Sequence, residues 1–450
     1  MPIVFIHGVS VRKTDDYLAG VAQRKEMFAS LVVNDARVKQ KFSKLSQPDE
    51  VFWGDLGVKL RWGLKSMFGP GGARAMGPEQ ELGFDAEPPF AELLDLFAQV
   101  TDPDNVETLD QLALKAAKAN PADFMRALMA SERDRFSPQA QAALGGQRPT
   151  MTPQDAASEG RMSARLLMAA EEVVNSGQAL DISDKAQTLD ELIDGLLSAV
   201  RTRVEPGAVG GVRSMGVKEW FGQRLSKVGQ AMKTGAKWAA NYVGGLGKSA
   251  VQGARNVVIN TPGPRTAAAL RSNIAPQATL FFGDVFEYLR RGIDGVKGAE
   301  PITVRVRDQV RSAAKERSDA DPLIVVTHSF GGMIFYDLIT SSDPKIHLHD
   351  LPVDLWVSVG SQVGLFAEMA MFRTSPVDRP TGTDDYLSRP GNVRKWVNFW
   401  DAADIFSYQA EPVFGSGVSD ITMPGRTAIA KAHSAYFGEP FFYREIAKAL

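Results

Sequence analysis

The 450-residue chain contains no cysteine. That excludes a disulfide framework, a cysteine-ligated zinc site and a thiol nucleophile, and it agrees with an expected cytoplasmic location. Histidine is scarce: only His7, His328, His347, His349 and His433 are present. Any imidazole chemistry must therefore use one of five positions. The H-E-x-x-H pattern is absent, no cluster of metal ligands stands out, and no metal or cofactor is expected. A formal net charge of −2 gives no electrostatic footprint for nucleic acid, and no reading motif supplies one. No apolar run is long enough to cross a bilayer. The start, MPIVFIHG, has a short apolar run and no basic residues ahead of it, so a signal peptide is not expected. There is no internal repeat.

What is present has the composition of a globular protein, 44% apolar and 23% charged residues. The length leaves room for about three average domains or one elaborated α/β domain. Short apolar runs alternate with helical patterns over residues 1–67 and again over 277–450. Between them, 68–276 reads as an insertion: a glycine-rich linker (68–77), then acidic amphipathic helices to about Val200, then a basic segment. Expected helices there are Ala91–Gln99, Val106–Ala119, Pro121–Glu132, Ser163–Ser176 and Thr188–Val200. Residues 201–271 carry a net charge of +10 against −12 for the remainder. Within that segment Trp220, Phe221, Leu225, Val228, Met232, Trp238 and Tyr242 recur at mostly helical spacing among lysines and arginines. Such a face suits peripheral contact with an anionic membrane, or packing against the acidic helices of the same chain.

The chain is organised around DPLIVVTHSFGGMIFYDLI, residues 321–339. Leu323–Val326 reads as a strand buried on both faces, and Met333–Ile339 has helical spacing. Between them, Ser329 stands in a sharp turn flanked by Gly331 and Gly332, a nucleophile elbow in which Thr327 replaces the first glycine of G-x-S-x-G. Pro2–Ile6 reads as a buried strand ending in His7-Gly8-Val9-Ser10. Arg24–Val33 is the next expected helix and Glu50–Trp53 the next strand. After the insertion, Thr279–Phe282 looks strand-like, with a helix beginning near Gly283-Asp284-Val285. Ile302–Ser318 follows as a helix, then Val353–Val359, Arg394–Trp400 and Val418–Met423 as strands, and Phe441–Leu450 as a closing helix.

A serine hydroxyl needs a base within hydrogen-bond reach and an acid to orient that base. Asp401 and Asp404 both follow the strand at 394–400, with Glu411 behind them, and spacing alone does not separate them. His328 neighbours the serine in sequence, so its side chain is expected to point away. His347 and His349 lie in a polar loop. His433 alone lies downstream of every candidate acid.

The pieces VFIHGVS, VFWGD, FFGDVFEYL, VVTHSFGG, VSVGSQVGL, WVNFWDAADIFSY and AHSAYF together resemble a bacterial α/β-hydrolase of the lipase/esterase type. The resemblance covers a little over half the chain and leaves out the insertion. It implies an α/β-hydrolase fold, with a mostly parallel sheet, helices on both faces and 68–276 as a helical cap or lid. It also implies a triad in the order Ser, Asp, His. On that pattern Ser329 is the nucleophile, Asp404 the acid and His433, in a loop, the base, while the N–H groups of Val9 and Phe330 form the oxyanion hole. The implied reaction is hydrolysis of a carboxylic ester, with an ester or lipid as substrate. A thioesterase or amidase on the same triad, and a protein-interaction scaffold with a vestigial core and an unknown partner, are the alternatives.

Overall fold

The computed structural model describes residues 2–42, 48–59, 96–97, 100, 108–134, 152–204, 279–289, 301–318, 320–375, 386–424 and 429–450. Of the expected helix at 91–99 only Leu96 and Phe97 are described, both helical, and the basic segment beyond residue 204 lies outside the described residues. Among the described residues, no helix is long and apolar enough to cross a membrane.

Six strands, β1 (Ile3–Ile6), β2 (Asp49–Val51), β3 (Ile324–His328), β4 (Leu355–Val359), β5 (Trp396–Trp400) and β6 (Ser419–Thr422), form one sheet in the order β2-β1-β3-β4-β5-β6. Every pairing is parallel. This is an α/β architecture. The central strands IVFI, IVVTH and LWVSV are almost wholly buried, because helices cover both faces of a parallel sheet. The edge strands DEV and SDIT are short and polar, which blunts their unpaired backbone edges.

Alternation of side chains divides the core in two. Ile3, Phe5, Val326, Val357 and Phe399 point to one face and meet Phe28, Val32, Phe437, Phe442 and Tyr443. Val4, Ile6, Val325 and Trp356 point to the other and meet Val285, Val306, Ile334 and Phe335. Trp356 and Trp396, paired in register across β4 and β5, stack at 4.0 Å.

Helix α1 (Asp15–Met27) starts earlier than the spacing of 24–33 predicts. Its first turns have little apolar patterning, and its start is fixed by the Thr14 side chain, which accepts from the Tyr17 amide. It runs into a π-helical stretch, Phe28–Val33, that sets Phe28 and Val32 on the sheet. Between β2 and β3, α2 (Leu109–Ala119), α3 (Pro121–Asp134), α4 (Pro153–Asn175), α5 (Gln178–Lys185) and α6 (Leu189–Arg203) gather a separate apolar cluster. Thr108 and Thr152 open α2 and α4 with capping boxes.

The next helix, α7, spans 279–289. The expected strand Thr279–Phe282 is its first turn. Four apolar residues do not reveal a period, and the helical one appears only over Phe281, Val285 and Tyr288, all buried at i, i+4 and i+7. Then come α8 (Ile302–Ala314), α9 (Gly331–Thr340), α10 (Ile429–Ala435) and α11 (Pro440–Ala449).

Among α2 to α6, α4 reaches the core of the sheet through Ala164. Helix α4 lies along α1, with Arg165 paired to Glu26 at 2.9 Å, and reaches α11 through Arg444 and Glu171. A Cβ on Gly160 would strike the carbonyl of Ala19, so the two helices approach at a glycine. Helix propensity alone favours Gly160→Ala by about 1 kcal/mol. The close approach outweighs it, and this variant is expected to lose about 2 kcal/mol of stability in urea titrations. A stabilised variant would show that α4 does not dock there.

Candidate active site

Ser329 follows β3 directly. It is a non-glycine residue with positive φ, +53°, and is 1% exposed. A left-handed serine costs on the order of 1–3 kcal/mol and persists only when its surroundings hold it. Its amide donates to the Val359 carbonyl at 2.8 Å, and Ser361 Oγ donates to its carbonyl at 3.3 Å. The space around it requires glycine. A Cβ on Gly331 would lie 2.6 Å from the Ile6 carbonyl oxygen, and one on Gly8 would lie 2.6 Å from Ser329 Cβ and 3.1 Å from its Oγ. The exits of β1 and β3 are thus pressed together. Thr327, in place of the usual first glycine, is fully buried, and its hydroxyl accepts from Trp356 Nε1 at 2.9 Å.

Asp404 and His433 are in contact. His433 Nδ1 lies 3.0 and 2.9 Å from Asp404 Oδ1 and Oδ2. Asp404 is buried, and it also accepts from the Phe406 amide (2.9 Å) and the Tyr436 hydroxyl (2.8 Å). Asp401 instead braces the turn after β5. Its Oδ1 accepts from the Ala403 amide at 2.8 Å, and its carbonyl accepts from the Asp404 amide. Burial, with the Asp404 charge adding to it against the Ala403 bond, raises the Asp401 carboxyl above its usual range. His433 stands on the helix α10 rather than in the expected loop. Gly360, with φ of +54°, makes room for the pair; a Cβ there would lie 3.0 Å from Asp404 Oδ2 and 3.4 Å from His433 Nδ1. Ser329 Oγ is buried without a hydrogen-bond partner.

Three side chains bear on the site that sequence reasoning does not assign. Tyr436 donates to the acid, and burial followed by the Asp404 charge raises its phenol, so it remains a donor. His328 packs against His433: its Nε2 donates to the His433 carbonyl at 2.7 Å, and the two rings lie 4.8 Å apart. Burial, then the neighbouring His433, lowers His328 well below the ordinary histidine range. His7 is pinned at the β1 exit. Its Nδ1 donates to the Gly8 carbonyl at 2.6 Å, its Nε2 accepts from the Trp53 amide at 3.0 Å, and its ring stacks on Trp53. No sequence motif marks these contacts, since nearly all of them join segments far apart in the chain.

Val9 is buried next to Gly8, and Phe330 caps α9, where the first amides have no intrahelical acceptor and the helix dipole favours negative charge. The β1 exit and the elbow lie side by side because β1 pairs with both β2 and β3. The strand order reverses there, which is where ligands bind in open α/β sheets. Among the described residues, no group of three or more His, Asp or Glu could hold a metal ion. No family model matches the chain, and no curated protein or solved structure is significantly similar to it.

Burial lowers His7 to about 3, with the Gly8 bond opposing and Arg24 adding to the fall. Between pH 6.5 and 3 the unfolded chain binds a proton that the folded one refuses. Stability is therefore full above about pH 6.5 and falls as the pH drops through that window, by about 1.4 kcal/mol per pH unit for each such histidine. Urea unfolding from about pH 4.5 to 7 should show His7→Gln with a slope shallower by about that amount. Equal slopes would mean that His7 is protonated in the fold.

Proposed function

We propose that the chain is a serine hydrolase of the α/β-hydrolase type that cleaves carboxylic esters through an acyl-enzyme. The observation that carries this reading is a strained Ser329 after β3 together with a buried Asp404 after β5 that is bonded to His433, whose carbonyl accepts from His328, the residue before the serine. A left-handed serine packed against Gly8 and a buried carboxylate–imidazole pair both cost stability. Together they are the arrangement that a weak oxygen nucleophile needs.

In the proposed reaction Ser329 Oγ attacks the ester carbonyl carbon as His433 Nε2 takes its proton. Asp404 holds the imidazole with Nδ1 protonated and stabilises the cation that forms. The amides of Val9 and Phe330 receive the oxyanion. Collapse breaks the ester C–O bond, and the His433 imidazolium gives its proton to the departing alkoxide, which leaves as the alcohol. Water, deprotonated by the same imidazole, then releases the acid and restores the serine.

The surface beside the pair favours an apolar acyl or alkyl group. Phe406 lies 5.4 Å from the His433 ring and stacks on Phe281 at 4.7 Å, while Ile405, Phe282 and Phe286, their neighbours along the chain, are each more than half exposed.

Kinetics on p-nitrophenyl esters of increasing chain length test this reading. Asp404→Asn is expected to lower kcat by about 10⁴-fold, because it leaves the imidazole in the wrong tautomer. Asp401→Asn should retain most activity. Equal losses, or activity that survives both substitutions, would contradict the assignment.

A further inference from the structure

The Val9 amide lies on a loop with little support of its own. Its neighbour Ser10 is left-handed, φ +62°. Support comes from 274 residues away: the Ser10 amide donates to Asp284 Oδ2 at 2.8 Å. Asp284 is fully buried on α7 and receives three further bonds, from the Val58 amide (2.6 Å) and from Nη1 and Nη2 of Arg12 (3.0 Å each). Arg12 also donates to the carbonyls of Val11 and Val58. One carboxylate thus ties the loop after β1 to the loop after β2. Gly57 is part of the fit, since a Cβ there would collide with Asp284 Oδ1.

The same helix touches the other half of the site. Tyr288 packs edge-on against Phe330 at 5.3 Å, and its hydroxyl donates to Asp337 on α9 at 2.7 Å. Helix α7 therefore meets both segments that carry the oxyanion amides, by hydrogen bonds at Ser10 and by packing at Phe330.

We infer that Asp284, paired with Arg12, is the positioning residue of the oxyanion hole, setting the Val9 amide against the oxygen that becomes negative. The inference rests on the ester-hydrolase reading. Every partner of Asp284 named above is a donor, so Asn in its place must turn an NH₂ toward one of them. The loop then shifts while the Ser329, His433 and Asp404 side chains keep their own contacts. A shift of this kind removes stabilisation that exists only in the transition state.

The test compares wild type, Asp284→Asn and Arg12→Lys. It uses p-nitrophenyl butyrate turnover, inhibition by an alkyl boronic acid that forms a tetrahedral adduct, and amide exchange at residues 9–12 and 58. Asp284→Asn is expected to lower kcat by about 10²-fold at unchanged KM. Boronate affinity should fall by a similar factor, the pH midpoint of kcat/KM should not move, and exchange at 9–12 should quicken. Arg12→Lys, which keeps the charge but loses the two-pronged bond, should fall between the two and serves if Asp284→Asn does not fold. A kcat within about twofold of wild type, or a loss of kcat with boronate affinity intact, overturns the inference. Wild-type protein that neither cleaves the ester nor binds the boronate overturns the enzyme reading and this inference together, a failure distinct from that of Asp284 alone.

Discussion

The contact between the exits of β1 and β3 governs the rest of the structure. Ser329 is left-handed, and the backbone of Gly8 lies where any side chain would strike it. Two neighbouring parallel strands must end at the same level for this to occur, and the register Ile6↔Thr327 sets that level. The strain of the serine, on the order of 1–3 kcal/mol, is small beside the burial of IVFI and IVVTH on both faces. It persists because the sheet cannot relax it without losing that burial.

Around this contact, His7, His328 and Asp404 are held by protein partners. His7 and His328 are both kept from protonation by burial, and each bonds a backbone carbonyl of the site, that of Gly8 or His433. A charge on His328 would sit in a poorly solvated region beside His433. Asp404 differs: it is a buried carboxylate supported by three donors, Phe406, His433 and Tyr436. Its position joins the loop after β5, α10 and the turn after it into one unit.

The sheet strands and the elbow are legible in the sequence because continuous apolar runs and paired glycines are local signals. Thr279–Phe282 is not, since a four-residue apolar run fits either a strand or the first turn of a helix, and the burial of Val285 and Tyr288 decides it. The choice between Asp401 and Asp404 also lies beyond spacing. Both follow β5 within four residues, and only the fold brings His433 to one of them. His328 keeps the alternation of β3, facing Phe437 with Ile324 and Val326, and only the fold brings His433 to that face. Asp284 and Tyr436 act through contacts across 274 and 32 residues, which no window of sequence contains.

The central claim is that Ser329 is an activated nucleophile. The direct test is reaction with a fluorophosphonate followed by peptide mass spectrometry, with Ser329→Ala and His433→Ala alongside. A single adduct at Ser329, lost in both variants, is the predicted result. An adduct at another residue, or one at Ser329 that forms as fast without His433, would contradict the account.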